Sequence, residues 1–93
     1  MKTLSPAEIN TCLQQLPNWS YDVAGSALRS TRTFPDFAAA MRFVNRIAEL
    51  AEAANHHPDL DIRYNKVLIA LSSHDAAGVT TRDIELAQKI SAL

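Results

Sequence analysis

The hydrophobic period of this chain switches between about 3.6 and about 2 in the order helix, strand, strand, helix, strand, strand, helix, and that order leaves few ways to fold. Ser5-Pro6-Ala7-Glu8 has the form of a capping box with proline at the first helical position, and Ile9, Cys12, Leu13 and Leu16 follow at helical spacing until Pro17. Trp19, Tyr21 and Val23 then alternate with polar residues, Ala24-Gly25-Ser26 supplies a turn, and Leu28, Ser30, Arg32 and Phe34 alternate again, which predicts a hairpin. Pro35-Asp36 opens a long helix whose apolar stripe is Phe37, Met41, Val44, Ala48 and Ala51, widened by Phe43, Ile47 and Leu50, opposite a polar face of Arg42, Asn45, Arg46, Glu49 and Glu52. Asn55 to Pro58 ends it. Leu60, Ile62 and Tyr64 alternate, Asn65 gives a turn, and Val67 to Ser73 reads as a β-rich strand, so a second hairpin is expected. Thr80-Thr81-Arg82-Asp83 resembles another capping box ahead of Ile84, Leu86, Ala87 and Ile90. The expected fold is α+β: a four-stranded antiparallel sheet with its helices packed on one face.

With 93 residues the chain is one domain, 1–93, without repeat, low-complexity tract or linker. A domain this small buries only roughly 60 to 65% of its unfolded surface. Its 47% hydrophobic content therefore suggests that some apolar area covers a subunit interface, in a homodimer or homotetramer. Nine basic residues against ten acidic ones, with no basic run, argue against nucleic acid as a direct ligand. Cys12 is alone, which excludes an internal disulfide and fits a reducing compartment, and its apolar neighbours read as helix core rather than as the setting of a nucleophile. Met1 to Ile9 lacks an apolar signal core, and no window approaches the roughly 18 apolar residues of a membrane span. A soluble cytoplasmic protein without membrane contact is expected.

Chemistry is sought where the histidines gather. His56, His57 and His74 are the three histidines of the chain, two adjacent and followed at once by Pro58. Histidine titrates near pH 6.5, so a cluster of it is a source of proton donors and acceptors near neutrality. The first two stand where the long helix hands over to the third strand and the last at the exit of the fourth, both element ends of the kind that present functional side chains. Taken singly, each would read as a surface or satisfied polar residue. Three histidines also raise zinc. Adjacent histidines on a loop diverge unless the backbone bends, however, and no cysteine lies near, so no metal is expected. The chain has no Gly-rich dinucleotide loop, and no cofactor is expected.

Glu52, His56-His57-Pro58, Tyr64, His74 and Asp83 stand at the spacing of the pterin-4a-carbinolamine dehydratase signature, and the chain resembles that family over nearly its whole length. Trp19, Phe34-Pro35-Asp36-Phe37, Tyr64-Asn65-Lys66-Val67, Ser73-His74-Asp75 and Arg82-Asp83-Ile84 extend the likeness. The resemblance implies a lyase that dehydrates 4a-hydroxytetrahydrobiopterin, or a similar pterin, to the quinonoid dihydropterin, recycling the carbinolamine released by aromatic amino acid hydroxylases. It implies His56, His57 and His74 as catalytic residues, with His56 and His74 moving protons and His57 holding the pterin. Glu52, Asn55, Pro58 and Asp83 would then be substrate-binding or supporting residues. From the residues alone, Pro58 is a structural stop, Glu52 either supports His56 from one turn away or is a solvated charge, and Asp83 is either a site residue or a helix-cap partner. Trp19 and Tyr64 read as core aromatics rather than stacking platforms. Asn55 replaces a residue often acidic in animal relatives, and Leu60 one often tryptophan. Both departures put in doubt the animal proteins' second role, the non-catalytic binding of a transcription factor dimer, which is the alternative reading.

Overall fold

The computed structural model describes residues 2–93. Ser5 Oγ accepts from the Glu8 backbone N–H at 3.2 Å while Glu8 Oε1 accepts from the Ser5 N–H at 2.8 Å, closing the box that starts α1 (Pro6–Leu13). The helix stops short of Pro17. Gln14, Gln15 and Leu16 donate to the carbonyls of Thr11, Cys12 and Leu13, a tightened final turn that brings Leu16 into the core. Trp19 is buried, as expected, and its Nε1–H donates to Ser91 Oγ at 2.8 Å.

The first hairpin pairs β1 (Ser20–Asp22) with β2 (Ala27–Thr33). Val23, expected in the strand, instead begins the turn and is 71% exposed. Gly25 donates its N–H to Asp22 Oδ1 at 3.2 Å, and a Cβ at position 25 would meet Asp22 Oδ2 at 2.7 Å, so a larger residue here displaces the Asp22 side chain.

Asp36 Oδ1 accepts from the Ala39 N–H at 2.8 Å and caps α2 (Phe37–Ala54). Its buried residues are Ala40, Phe43, Ile47 and Ala51, so the core seam takes Ala51 from the expected stripe and Phe43 and Ile47 from its flank. Phe37 is 49% exposed and Ala48 is exposed. Only one line of an 18-residue helix meets the sheet squarely, and residues spaced 3, 4 and 4 apart from Ala40 form that line.

The second hairpin joins β3 (Asp59–Arg63) to β4 (Lys66–Leu71) through a turn at Tyr64 and Asn65. Tyr64 is 66% exposed at φ 54°, which corrects its expectation as a core aromatic: it occupies the turn, not the strand. Asn65 Nδ2 donates to the Phe34 carbonyl at 2.9 Å and ties this turn to the end of β2. All pairings are antiparallel in the order β1-β2-β4-β3. Leu28 faces Leu71 and Ser30 faces Ile69 across β2 and β4. Leu28, Val67, Ile69 and Leu71 share one core with Ile9 of α1, Phe43 and Ile47 of α2, and Ile84 and Ile90 of α3 (Thr81–Ser91). The helices therefore cover one sheet face, as the periodicity predicts. Central β4 leads into a short 3-10 turn (His74–Ala76) and then into α3, which sets one group of signature residues against the sheet's middle. No helix among the described residues is long and apolar enough to cross a membrane.

Candidate active site

Asn55 separates the two adjacent histidines. It takes left-handed dihedrals, φ 50° and ψ 43°, a conformation asparagine tolerates better than most residues, and so stops α2. His56 N–H then reaches back to the Ala51 carbonyl at 3.1 Å. His56 turns inward and is buried, while His57 stays exposed. The sequence expectation that neighbouring histidines diverge holds, and Asn55 acquires a backbone role there. Pro58 is half-buried directly before β3.

His56 Nε2 lies 2.5 Å from Asp83 Oδ1, and the Asp83 side chain is fully buried. Asp83 Oδ2 accepts from the Thr80 backbone N–H and from Ser73 Oγ, each at 2.9 Å. Ser73 has one hydroxyl proton and gives it to Asp83, so the 2.7 Å contact between Ser73 Oγ and Thr80 Oγ1 is donated by Thr80. Every donor in this buried set points at the carboxylate, directly or through Ser73. Such an arrangement suits an ionised Asp83 that accepts from His56 Nε2–H and leaves His56 Nδ1 as the nitrogen open to proton exchange. The helix-cap reading of Asp83 is thereby realised. One oxygen completes the Thr80 capping box of α3, and the other orients the imidazole.

Glu52 pairs with His57 rather than with His56. The i, i+4 spacing on which support of His56 rests does not continue past the left-handed residue at 55, which swings His57 toward Glu52 instead. Both partners are exposed, so this pair forms a solvent-facing rim.

His74 is exposed at the start of the 3-10 turn and lines a shallow depression with Gly25, Ser26, Ser72, Ala77 and Gly78. The turn is pinned on two sides. Ser73 N–H donates to the Gly78 carbonyl at 2.8 Å, and Asp75 Oδ1 accepts from Arg82 Nη2 at 2.6 Å. The Arg82 guanidinium holds the Asp75 carboxyl below its usual range. Arg82 Nε is buried without a hydrogen-bond partner among the described residues, and Arg82 lines with His56 and Lys89 a second depression of about 150 Å³. His56 and His74 thus face different depressions, linked through Asp83 and Ser73. Among the described residues no three His, Cys, Asp or Glu side chains are grouped to hold a metal ion.

Sequence reasoning named Thr80 only as a helix cap, and Ser73 and Arg82 only as neighbours of signature residues. Arg82 was legible as the neighbour of a signature aspartate. The hydroxyls carry no periodic signal, because their importance arises only when β4 and α3 are brought together.

A family model described as pterin 4 alpha carbinolamine dehydratase matches residues 2–93. A Cyanothece protein named "Putative pterin-4-alpha-carbinolamine dehydratase" is 54% identical over 90 residues, covering 97% of this chain and 91% of its own length. A solved structure from Brucella melitensis, described as a transcriptional coactivator/pterin dehydratase, superposes with a TM-score of 0.93 at 34% identity, covering 98% of this chain and 97% of its own. A pterin dehydratase-like RuBisCO assembly factor of the alpha-carboxysome shares the fold, with a TM-score of 0.69 at 20% identity over 81% of this chain and 87% of its own.

Proposed function

The chain belongs to the pterin 4 alpha carbinolamine dehydratase family, and on that premise we propose that it dehydrates 4a-hydroxytetrahydrobiopterin or a related 4a-hydroxytetrahydropterin. In this reaction the C4a–O bond breaks and the departing hydroxyl takes a proton to leave as water. A ring N–H proton is removed as the C4a–N double bond of the quinonoid dihydropterin forms. No electrons leave the pair of reactants, and no cofactor is required. Positioned acid and base groups contribute about 10² to 10⁴ to such a rate.

The observation that carries this reading is the buried Asp83–His56 pair, continued through Ser73 to the turn that bears His74. An aspartate that fixes which imidazole nitrogen carries the proton prepares the other nitrogen for transfer. We assign His56 and His74 to proton transfer, and His57, steadied by Glu52 at the exposed rim, to holding the pterin. Asp83 is the positioning residue for His56. Pro58 and Asn55 set the backbone from which both adjacent histidines diverge. The protein acts as a cytoplasmic homo-oligomer and serves the recycling of tetrahydropterin after an aromatic amino acid hydroxylase.

The test is a spectroscopic assay of quinonoid dihydropterin formation from enzymatically generated 4a-hydroxytetrahydropterin, with no cofactor added and with chelator present. The expected result is a rate above the spontaneous one that chelation leaves unchanged. A rate equal to the spontaneous dehydration, with the fold confirmed by circular dichroism, would refute catalysis and favour a non-catalytic protein-binding role.

A further inference from the structure

Arg32 of β2 and Arg42 and Arg46 of α2 line one cavity of about 400 Å³, together with Phe34, Phe43 and Leu93. The volume lies within the range of small-molecule sites, roughly 300 to 1,000 Å³. Arg42 and Arg46 are one helical turn apart, so their like charges repel, and Arg32 adds a third. None of the three forms an ion pair among the described residues, whereas Arg29, Arg63 and Arg82 each have a carboxylate partner. The Arg32 guanidinium carbon lies 5.0 Å from the centre of the Phe43 ring, and that ring lies 5.0 Å from Phe34.

This combination has a direct chemical reading. Three guanidiniums with no carboxylate at ion-pair distance are an arrangement that a bound anion relieves, and their planar forks match the oxygens of phosphate in pairs. Half-buried Phe34 and Leu93, with Phe43 buried behind Phe34, offer an apolar floor for whatever carries the anion. None of these residues belongs to the histidine site. We propose that this cavity binds a phosphate monoester attached to a planar ring, of which a nucleoside monophosphate is the type. The formal net charge of −1 and the confinement of the arginines to one cavity favour a small anion over a nucleic acid backbone.

Calorimetric titration of the intact protein with adenosine 5′-monophosphate, inorganic phosphate and adenosine tests the assignment. The monophosphate is expected to bind saturably, at least tenfold more tightly than phosphate or adenosine. An Arg42→Ala, Arg46→Ala double variant is expected to bind it at least tenfold more weakly while dehydratase activity stays unchanged. Both positions are exposed and alanine favours helix, so the fold should survive. Should circular dichroism show that it does not, Arg46→Gln alone makes the same test. Absence of binding at millimolar monophosphate, or affinity undiminished by the substitutions, would overturn the site. Equal affinity for adenosine would overturn the role of the arginines, and equal affinity for inorganic phosphate that of the aromatic floor.

Discussion

Asp83 divides its carboxylate between two tasks, with Oδ1 on His56 Nε2 at 2.5 Å and Oδ2 on the Thr80 N–H that begins α3. The start of a helix and the orientation of an imidazole are therefore set by the same buried group. Asp83→Asn separates the tasks. Its amide oxygen still satisfies Thr80 and Ser73, but its NH₂ then faces His56 and imposes the opposite tautomer. We expect kcat to fall tenfold to a hundredfold, about 1.4 to 2.7 kcal/mol of barrier, with the fold retained. Asp83→Ala leaves the buried Thr80 N–H, Ser73 hydroxyl and His56 Nε2–H without their acceptor and should cost several kcal/mol of stability, at about 1 to 3 kcal/mol for each buried polar group left unpaired. Steady-state kinetics beside urea melts distinguish the two, and an Asp83→Asn protein with wild-type kcat would dismiss the orienting role.

Ser73 sits where removal of one hydroxyl leaves two groups short. Its Oγ donates to Asp83 Oδ2 and accepts from Thr80 Oγ1, all within the protein interior. Ser73→Ala should destabilise by about 1 to 3 kcal/mol, the cost of buried polar groups deprived of a partner. Chemical denaturation measures this directly. A change below about 0.5 kcal/mol, the size of an ordinary surface substitution, would mean that the network is not the support described.

Much of this architecture was legible because local rules and tertiary packing agree. Both capping boxes, the start of α2 after Asp36 and its halt at Asn55 form where the spacing places them, and both hairpins form with Val23 and Tyr64 moved from strand to turn. What failed involved competition between equally apolar alternatives. The sequence cannot say which of two neighbouring stripes of α2 meets the sheet, because Phe37 and Met41 are as hydrophobic as Phe43 and Ile47. At the site, the spacing to His74 and Asp83 was readable, yet the partner of Glu52 was not. A single left-handed residue redirects His57, and i, i+4 reasoning applies only while the helix continues.

The Asp75–Arg82 ion pair joins the turn that bears His74 to α3. Hydrogen bonding to Arg82 lowers the Asp75 carboxyl from its ordinary value, and the Ser5 backbone lowers that of Glu8. A carboxyl whose folded value lies below its unfolded one contributes stability above the unfolded value, near pH 4, and loses it as pH falls through the folded value. Asp75→Asn should therefore lower Tm at pH 7, with the gap to wild type closing as pH falls below about 4. A gap that is the same at pH 3 and pH 7 would show that the charge of Asp75 is irrelevant.

The three histidines should fail differently. On the roles proposed above, His56→Ala and His74→Ala should mainly lower kcat, each by about tenfold to a hundredfold. His57→Ala, at the exposed rim with Glu52, should raise KM. If the two groups serve the same substrate, the His56→Ala, His74→Ala double variant should lose far more than either single one. Three folded single variants with wild-type kcat and KM would place the chemistry elsewhere.

The stripe of α2 that flanks the core, with Val44 packed against the core and Phe37 and Ala48 exposed, bears on assembly. Phe37, Met41, Val44 and Ala48 recur at i, i+4, i+7 and i+11, the spacing of a helix seam, yet Phe37 is 49% exposed and Ala48 is exposed. A second seam of this kind on an 18-residue helix is suited to pack against another helix, and symmetry makes a second copy of the same chain its simplest partner. Light scattering at micromolar concentration should give a dimer or a dimer of dimers. Phe37→Glu places a charge on that seam, where burial without a partner is costly, and should lower the assembled mass without unfolding the protomer, since residue 37 lies outside the core cluster. A wild-type monomer would refute assembly, and an unchanged mass for Phe37→Glu would move the interface off this face of α2.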